Sequence, residues 1–130
     1  MAGRVSYRVA VRSLCEFTAK EGDLDLRFTP APTAQEGIAG HRTVASRRGA
    51  NYLCELALSG SYLNLQVSGR ADGYDPDLNL LEEVKTHRGD VSRIPENHRL
   101  LHWAQVKVYG WLLCAELELE EVDLAVVYFN

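Results

Sequence analysis

The 130-residue sequence contains no long hydrophobic run, and this absence excludes one class of protein at the outset. Its apolar stretches stop at about the length of residues 111–115, whereas a helix that spans a membrane needs ~20 apolar residues. Residues 1–11 include arginines but no apolar stretch followed by a small-residue cleavage site. We therefore expect neither a signal peptide nor a membrane partner.

Cysteine is also scarce, and the three that are present, Cys15, Cys54 and Cys114, are odd in number and far apart in the sequence. A disulfide framework is therefore not expected, and the pattern indicates a reducing cytosol. Zinc and iron–sulfur sites usually need about four clustered ligands, often with a C-x-x-C pair, and the sequence has no such pair. We expect these cysteines to be small apolar side chains in the core.

A strong positive charge is absent as well, because the net charge is −4, and this alone argues against a nucleic-acid partner. The acids are concentrated, however, since five of the 18 lie in residues 116–123. Clustered lysines and arginines suit contact with phosphates. An ordinary solvated surface also explains them, and charge alone favours that explanation. The basic residues form two groups: Arg42, Arg47 and Arg48, and then Lys85, Arg88, Arg93, Arg99 and Lys107.

The composition, with 46% hydrophobic and 25% charged residues, is typical of one globular domain, which we assign to residues 1–130. Thr33 and Glu36 have the spacing of a capping box and predict a helix that runs to about Arg48 and ends at Gly49. Three strands, a long helix and a final strand follow, giving the order α-β-β-β-α-β. Their predicted bounds are 52–58, 62–74 and 78–86 for the strands, 98–117 for the helix and 122–129 for the last strand.

The segments around these elements carry weaker signals. Residues 5–11 alternate apolar and polar and predict a short strand, and residues 11–20 predict one or two helical turns. Residues 21–23 break this helix, and residues 30–32 mark a loop. Residues 75–77 predict a turn between the second and third strands. Gly37 and Gly40 each cost up to ~1 kcal/mol inside a helix, so close packing against a neighbour is a candidate reason for them.

The most informative residues lie in the hairpin formed by the second and third predicted strands. Side chains alternate along a strand, so Glu83 and Lys85 point the same way, and the hairpin can bring Asp72 beside them. Two neighbouring carboxylates resist ionising together unless a cation lies between them. Carboxylate oxygens suit Mg²⁺ or Mn²⁺, and the Val84 carbonyl could add a third oxygen. The pattern therefore predicts a divalent metal site.

Such a metal would lower the pKa of a bound water and neutralise charge that develops on a phosphate. Lys85 could orient that water or stabilise the charge of the transition state. An E-x-K triplet by itself is weak evidence, since a solvated strand of mixed charge usually explains it. The residues on either side of the triplet make the pattern specific.

Asp72 followed by Glu83-Val84-Lys85 resembles the D…(D/E)-x-K signature of the PD-(D/E)xK nucleases. Residues 69–73 resemble the G-R-x-D stretch of the RecB-type branch, which also carries a histidine in a preceding helix and a Q-x-x-x-Y motif in the following one. Here His41 supplies the histidine. Gln105 and Tyr109 supply the second motif and share a helix face. Ala71 stands where the family name has proline, which the RecB-type branch tolerates.

The resemblance implies a restriction-endonuclease-like α/β core, a mixed β-sheet flanked by helices, and a metal-dependent deoxyribonuclease of DNA repair or processing. Asp72, Glu83 and the Val84 carbonyl resemble the metal ligands, and His41 resembles an additional one. Lys85 resembles the catalytic lysine. The expected cofactor is Mg²⁺ or Mn²⁺, and the expected partner is single-stranded or end-containing DNA. Some relatives, including CRISPR-associated exonucleases, hold an iron–sulfur cluster, but this chain lacks suitable cysteines and we expect none. Gln105 and Tyr109 resemble the pair that braces the site and contacts the substrate strand.

Other residues have less specific interpretations. Glu36 could assist the site, but the capping role explains it better. We expect His98 and His102 to be surface histidines, and Trp103 and Trp111 to belong to the core rather than to stack on bases. Residues 11–17 and 22–25 resemble the opening of nuclease domains fused to DinG-like helicases. This chain could therefore be a fragment, with a helicase domain following in the same protein.

A different class of function remains open at this point. The same fold can serve as a catalytically silent DNA-binding or docking module. The intact set of His41, Asp72, Glu83 and Lys85 argues against that reading. The sequence also leaves open whether cutting starts at an end or inside a strand, in which polarity it proceeds, and whether the substrate is DNA or RNA. It leaves the oligomeric state open as well.

Overall fold

The structure is a computed structural model that describes residues 7–18 and 33–130. This part of the chain forms a mixed five-stranded sheet flanked by three α-helices, as the α/β assignment predicted. The predicted break at 21–23, the loop at 30–32 and the helicase-like residues 22–25 lie outside the described residues. The elements are β1 (Tyr7–Ala10), α1 (Val11–Thr18), α2 (Ala34–Ser46), β2 (Leu53–Tyr62), β3 (Leu65–Asp75), β4 (Leu80–Thr86), a 3-10 turn (Val91–Arg93), α3 (Glu96–Leu117) and β5 (Asp123–Phe129).

The strand β3 is the centre of the sheet and has different neighbours on its two edges. On one edge it pairs antiparallel with β2 over Leu65 to Tyr74. On the other edge β1 pairs in parallel with Leu65 to Ser68, and β4 pairs antiparallel with Gly73 to Asp75. Residues 69–72 therefore have no partner strand on that edge within the described chain. The strand β5 continues the sheet beyond β4 in parallel.

Helices cover the two faces of the sheet unequally. The helices α1 and α3 pack together over one face, where the most deeply buried apolar side chains lie. The helix α2 packs mainly against β4. Burial of the central apolar side chains excludes water from this core and provides most of the stability of such a domain. Among the described residues, the largest fully buried side chains are Val11, Cys15, Leu81, Val106, Leu112 and Leu113.

Local signals in the sequence explain where several elements begin and turn. The Thr33 hydroxyl accepts a hydrogen bond from the Glu36 backbone N–H at 3.1 Å and so caps α2. The Asp75 carboxylate accepts from the backbone N–H groups of Asp77 and Leu78 at 3.0 and 3.3 Å, which forms the predicted turn between β3 and β4. β2 runs four residues further than predicted, to Tyr62, and turns into β3 through Leu63, whose backbone is left-handed with φ 53°.

The two glycines of α2 have different surroundings. A Cβ atom at Gly40 would collide with the Thr86 hydroxyl and the Phe129 ring, so close packing of α2 on β4 and β5 explains this glycine. A Cβ atom at Gly37 would meet nothing within 4 Å. The packing explanation therefore holds for Gly40 and is wrong for Gly37.

Four expectations about α3 are wrong. His98 is 9% exposed, and His102 is partly buried against β5, where its Nδ1 lies 2.9 Å from the Tyr128 hydroxyl. Trp103 and Trp111 are instead 40% and 46% exposed. The helix turns His102 towards β5 and leaves the two indole rings partly in solvent. Among the helices of the described ranges, none combines the length and the apolar character that crossing a membrane requires.

Candidate active site

The candidate site lies where β3 and β4 stop pairing. Their ladder ends at the pair of Gly73 and Glu82. Immediately beyond it, the Asp72 side chain takes the place of a partner strand, since its Oδ2 accepts a hydrogen bond from the Val84 backbone N–H at 2.7 Å. The Asp72 side chain thus lies in the gap between the strands, as the hairpin argument required.

His41 of α2 binds the other backbone polar group of Val84, its carbonyl. Its Nε2–H donates to the Val84 carbonyl oxygen at 2.9 Å. That bond places the proton of a neutral ring on Nε2 and leaves a lone pair on Nδ1. Nδ1 lies 3.6 Å from Asp72 Oδ1. Two acceptors that face each other repel, and a proton or a metal cation between them would remove the repulsion.

Glu83 and Lys85 lie on one face of β4, as the alternation of side chains predicted. Lys85 Nζ is 3.3 Å from Glu83 Oε1. The other carboxylate oxygen, Glu83 Oε2, is buried without a hydrogen-bond partner among the described residues. Burial, followed by the neighbouring Asp72 carboxylate, raises the pKa of Glu83 to about 8, and the Lys85 ammonium offsets this only in part. The site therefore contains a carboxyl group that lacks sufficient positive charge around it.

Gln105 and Tyr109 of α3 are both buried, at 4% and 8% exposure, and lie one turn apart on the same face of the helix. The Tyr109 hydroxyl packs against Gly69 of β3, where an added Cβ would lie only 2.6 Å from it. Burial and the carboxylates of Glu83 and Asp72 raise the pKa of Tyr109 to about 12, so the hydroxyl keeps its proton. Gln105 Oε1 is buried without a hydrogen-bond partner in the described chain.

An ion pair that sequence reasoning missed holds α2 against the sheet. Arg48 donates from Nε to Glu82 Oε1 at 2.7 Å and from Nη2 to Glu82 Oε2 at 2.9 Å. Glu82 is 4% exposed and points to the α2 side of β4, opposite to Glu83. The Tyr52 hydroxyl packs against Gly73 and lies close to the same carboxylate. Strand alternation signalled that Glu82 would face the other way, but only the fold identifies its partner.

Two further groups near the site have altered proton affinities. Cys15 of α1 is 1% exposed, and burial followed by the charge of Glu83 raises the pKa of its thiol to about 11. Burial and then the Lys85 charge lower the pKa of His102 to about 3, so this imidazole is neutral. Glu36 pairs instead with Arg88 and lies apart from the cluster, which agrees with its capping role.

The predicted metal ligands can be tested against this geometry. In residues 7–18 and 33–130, no group of three or more His, Cys, Asp or Glu side chains is close enough together to hold a metal ion. Asp72 and His41 are each hydrogen-bonded to the Val84 backbone, to its N–H and its carbonyl respectively. The chemistry of the donors nevertheless fits a hard divalent cation, because the unpartnered Glu83 oxygen and the facing atoms of His41 and Asp72 all lack positive charge.

Comparisons with known proteins bear on the fold alone. No family model matches the chain, and no curated protein matches it. Among solved structures, the crystal structure of SSO0001 is similar, with a TM-score of 0.57 and 20% sequence identity. The match covers 98% of this chain and 65% of that one, so this chain spans less than two thirds of the length of SSO0001.

Proposed function

We propose that this chain is a divalent-metal-dependent nuclease domain that hydrolyses phosphodiester bonds in DNA. The observation that carries the proposal is the buried, unpartnered oxygen of Glu83, next to Asp72 and only partly balanced by Lys85. A protein retains such a destabilised carboxyl group mainly where function needs it. The motifs of this sequence also follow the order found in RecB-type PD-(D/E)xK nucleases, which have a restriction-endonuclease-like core. This resemblance supports the same metal-dependent chemistry.

Asp72, Glu83 and the Val84 carbonyl would hold the metal, Mg²⁺ or Mn²⁺, with His41 beside them. When bound, the metal would make a water nucleophilic at neutral pH and neutralise charge on the phosphate. His41 would keep donating to the Val84 carbonyl through Nε2, and its Nδ1 lone pair would face the metal beside Asp72. The chain has no cysteine cluster that suggests an iron–sulfur group.

The other site residues have separate tasks. The Lys85 ammonium, already 3.3 Å from Glu83, would orient the attacking water or stabilise negative charge on the phosphate. The Tyr109 hydroxyl stays protonated and can donate a hydrogen bond to a substrate oxygen. Gln105 lies one turn before Tyr109 in α3 and would brace the site with its unpartnered Oε1.

The proposed substrate is single-stranded or end-containing DNA, and the proposed setting is the cytoplasm. A helicase domain in the same protein would deliver such a strand.

The test is a cleavage assay with end-labelled, circular and single-stranded DNA in Mg²⁺ or Mn²⁺. We expect Lys85→Ala to lower the rate by at least about 100-fold, since removal of one group that stabilises transition-state charge has this effect. Asp72→Asn should do the same while keeping an acceptor for the Val84 N–H. The matched control is Lys107→Ala, which removes an exposed lysine of α3 and should leave the rate unchanged.

Metal titration by calorimetry separates an enzyme from a docking module. Tight Mn²⁺ binding that is lost in Asp72→Asn supports the enzyme. If no metal binds at millimolar concentration, or if Lys85→Ala cuts as fast as the wild type, the proposal is wrong.

A further inference from the structure

A groove leads away from the candidate site between α2 and β2. It consists of two adjoining cavities of about 270 Å³ and about 490 Å³, which share His41, Arg42 and Glu55. The inner cavity reaches Asp72 and Val84. The outer cavity continues to Ala34 and Ile38 in the first turns of α2. The groove therefore connects the surface with the residues proposed to bind metal.

Arg42 is the cation of this groove, and its guanidinium is uncommitted. It is exposed and has no ion pair, side-chain hydrogen bond or ring contact with any described residue. Neighbouring arginines are engaged: Arg48 with Glu82, and Arg47 with the Phe129 ring. A free guanidinium presents five N–H donors in a planar fork, which matches the oxygens of a phosphate.

Glu55 lies on the opposite wall and has an unusual backbone. Its φ of 50° is left-handed, which is rare for a residue other than glycine. The register of β2 and β3 places it opposite Asp72, between the pairs of Cys54 with Gly73 and of Leu56 with Ala71. Glu55 lines both cavities. Arg42 and Glu55 thus flank both cavities, and Asp72 adds a second carboxylate to the inner one.

We infer that this groove seats a single nucleic-acid strand, with Arg42 binding a phosphate next to the one that is cut. This inference rests on the proposed function, because the nuclease site supplies the end of the path. Cavities of a few hundred Å³ hold a nucleotide-sized unit and are too small for a duplex. Ile38, 54% exposed at the outer end, offers an apolar surface on which a base can pack.

The test measures binding of a fluorescent single-stranded oligonucleotide by anisotropy in EDTA, where no metal-dependent cutting occurs. Arg42→Ala should weaken binding about 5-fold to 10-fold and reduce the dependence of log Kd on log salt by about one. Glu55→Gln should tighten binding about 2-fold to 5-fold, because it removes repulsion of the phosphates. The matched control is Arg93→Ala, an exposed arginine outside the groove, which should change Kd less than 2-fold.

The outcomes separate this inference from the proposed function. If the wild type binds the strand through Arg42 but never cuts DNA, the groove is supported and the nuclease assignment fails. If the protein cuts while Arg42→Ala binds like the wild type, the groove is wrong and the nuclease assignment remains. Three other results also overturn the inference. They are an equal loss of affinity in Arg42→Ala and Arg93→Ala, Arg42-dependent binding of duplex DNA as tight as that of the single strand, and no binding of the strand by the wild type. Thermal melts check that each variant is folded.

Discussion

Two adjacent glutamates of β4 should respond in opposite directions to the same substitution. Glu82 and Glu83 are almost equally buried, at 4% and 6% exposure, on opposite faces of the strand. Both oxygens of Glu82 accept hydrogen bonds from Arg48. Glu83 has one oxygen beside Lys85 and the other unpartnered. We expect Glu83→Gln to stabilise the metal-free protein and Glu82→Gln to destabilise it.

The sign for Glu83 follows from its pKa, which rises from 4.5 to about 8 on folding. Between these values the folded state binds more protons than the unfolded state, so stability falls as pH rises and the full penalty is present above about pH 8. The ceiling of this penalty is about 4–5 kcal/mol. Because the charge is shared with Asp72, we expect Glu83→Gln to regain about 1–3 kcal/mol at pH 9.

Glu82→Gln removes the anion from a buried, bidentate pair and leaves the Arg48 guanidinium only partly solvated. Breaking such a pair costs about 3–5 kcal/mol when both groups are fully buried. Since the Arg48 side chain is 27% exposed, we expect a loss of about 1–3 kcal/mol.

The assay is thermal unfolding in EDTA at pH 6 and pH 9. At pH 9 Glu83→Gln should raise Tm by about 3–10 °C and Glu82→Gln should lower it by a similar amount. At pH 6, where wild-type Glu83 is protonated, Glu83→Gln should leave Tm nearly unchanged. The reasoning is refuted if Glu83→Gln lowers Tm at pH 9 as Glu82→Gln does.

Two further predictions concern the packing around the site. Gly40→Ala should cost about 1–3 kcal/mol in urea unfolding, because its methyl group would collide with Thr86, whereas Gly37→Ala should stabilise the protein by up to ~1 kcal/mol. Equal effects of the two substitutions would contradict the packing of α2 on β4. Tyr109→Phe should slow DNA cleavage at least about 10-fold while changing stability by only about 1 kcal/mol. Unchanged cleavage would exclude a role for the hydroxyl in catalysis.

Local chemistry made much of the fold predictable. The Thr33 cap, the turn at Asp75 and the order of strands and helices from residue 33 follow from side chains within a few residues of one another. The shared face of Glu83 and Lys85 follows from strand alternation. Such signals need no knowledge of distant parts of the chain.

The failures concern features that depend on distant partners. Helical periodicity shows that His102 and Trp103 face different ways but does not show which side β5 will cover. His102 meets Tyr128, which lies 26 residues away, and Trp103 faces solvent. Arg48 and Glu82 are separated by 34 positions, so their pairing depends on how α2 docks on the sheet. The sequence shows the charges of Arg48 and Glu82 but does not show that the two side chains form an ion pair.

The position of the candidate site follows from the sheet itself. The strands β1 and β4 share one edge of β3 and leave residues 69–72 without a partner strand there, within the described chain. The backbone of Val84 faces this gap, and buried backbone groups require hydrogen-bond partners. Asp72 bonds its N–H and His41 bonds its carbonyl, from 12 and 43 positions away. The two side chains that stabilise the opening are thus also two of the four residues proposed to bind the metal. Loss of their bonding capacity must therefore affect folding as well as activity, which is why Asp72→Asn, rather than Asp72→Ala, isolates the chemistry.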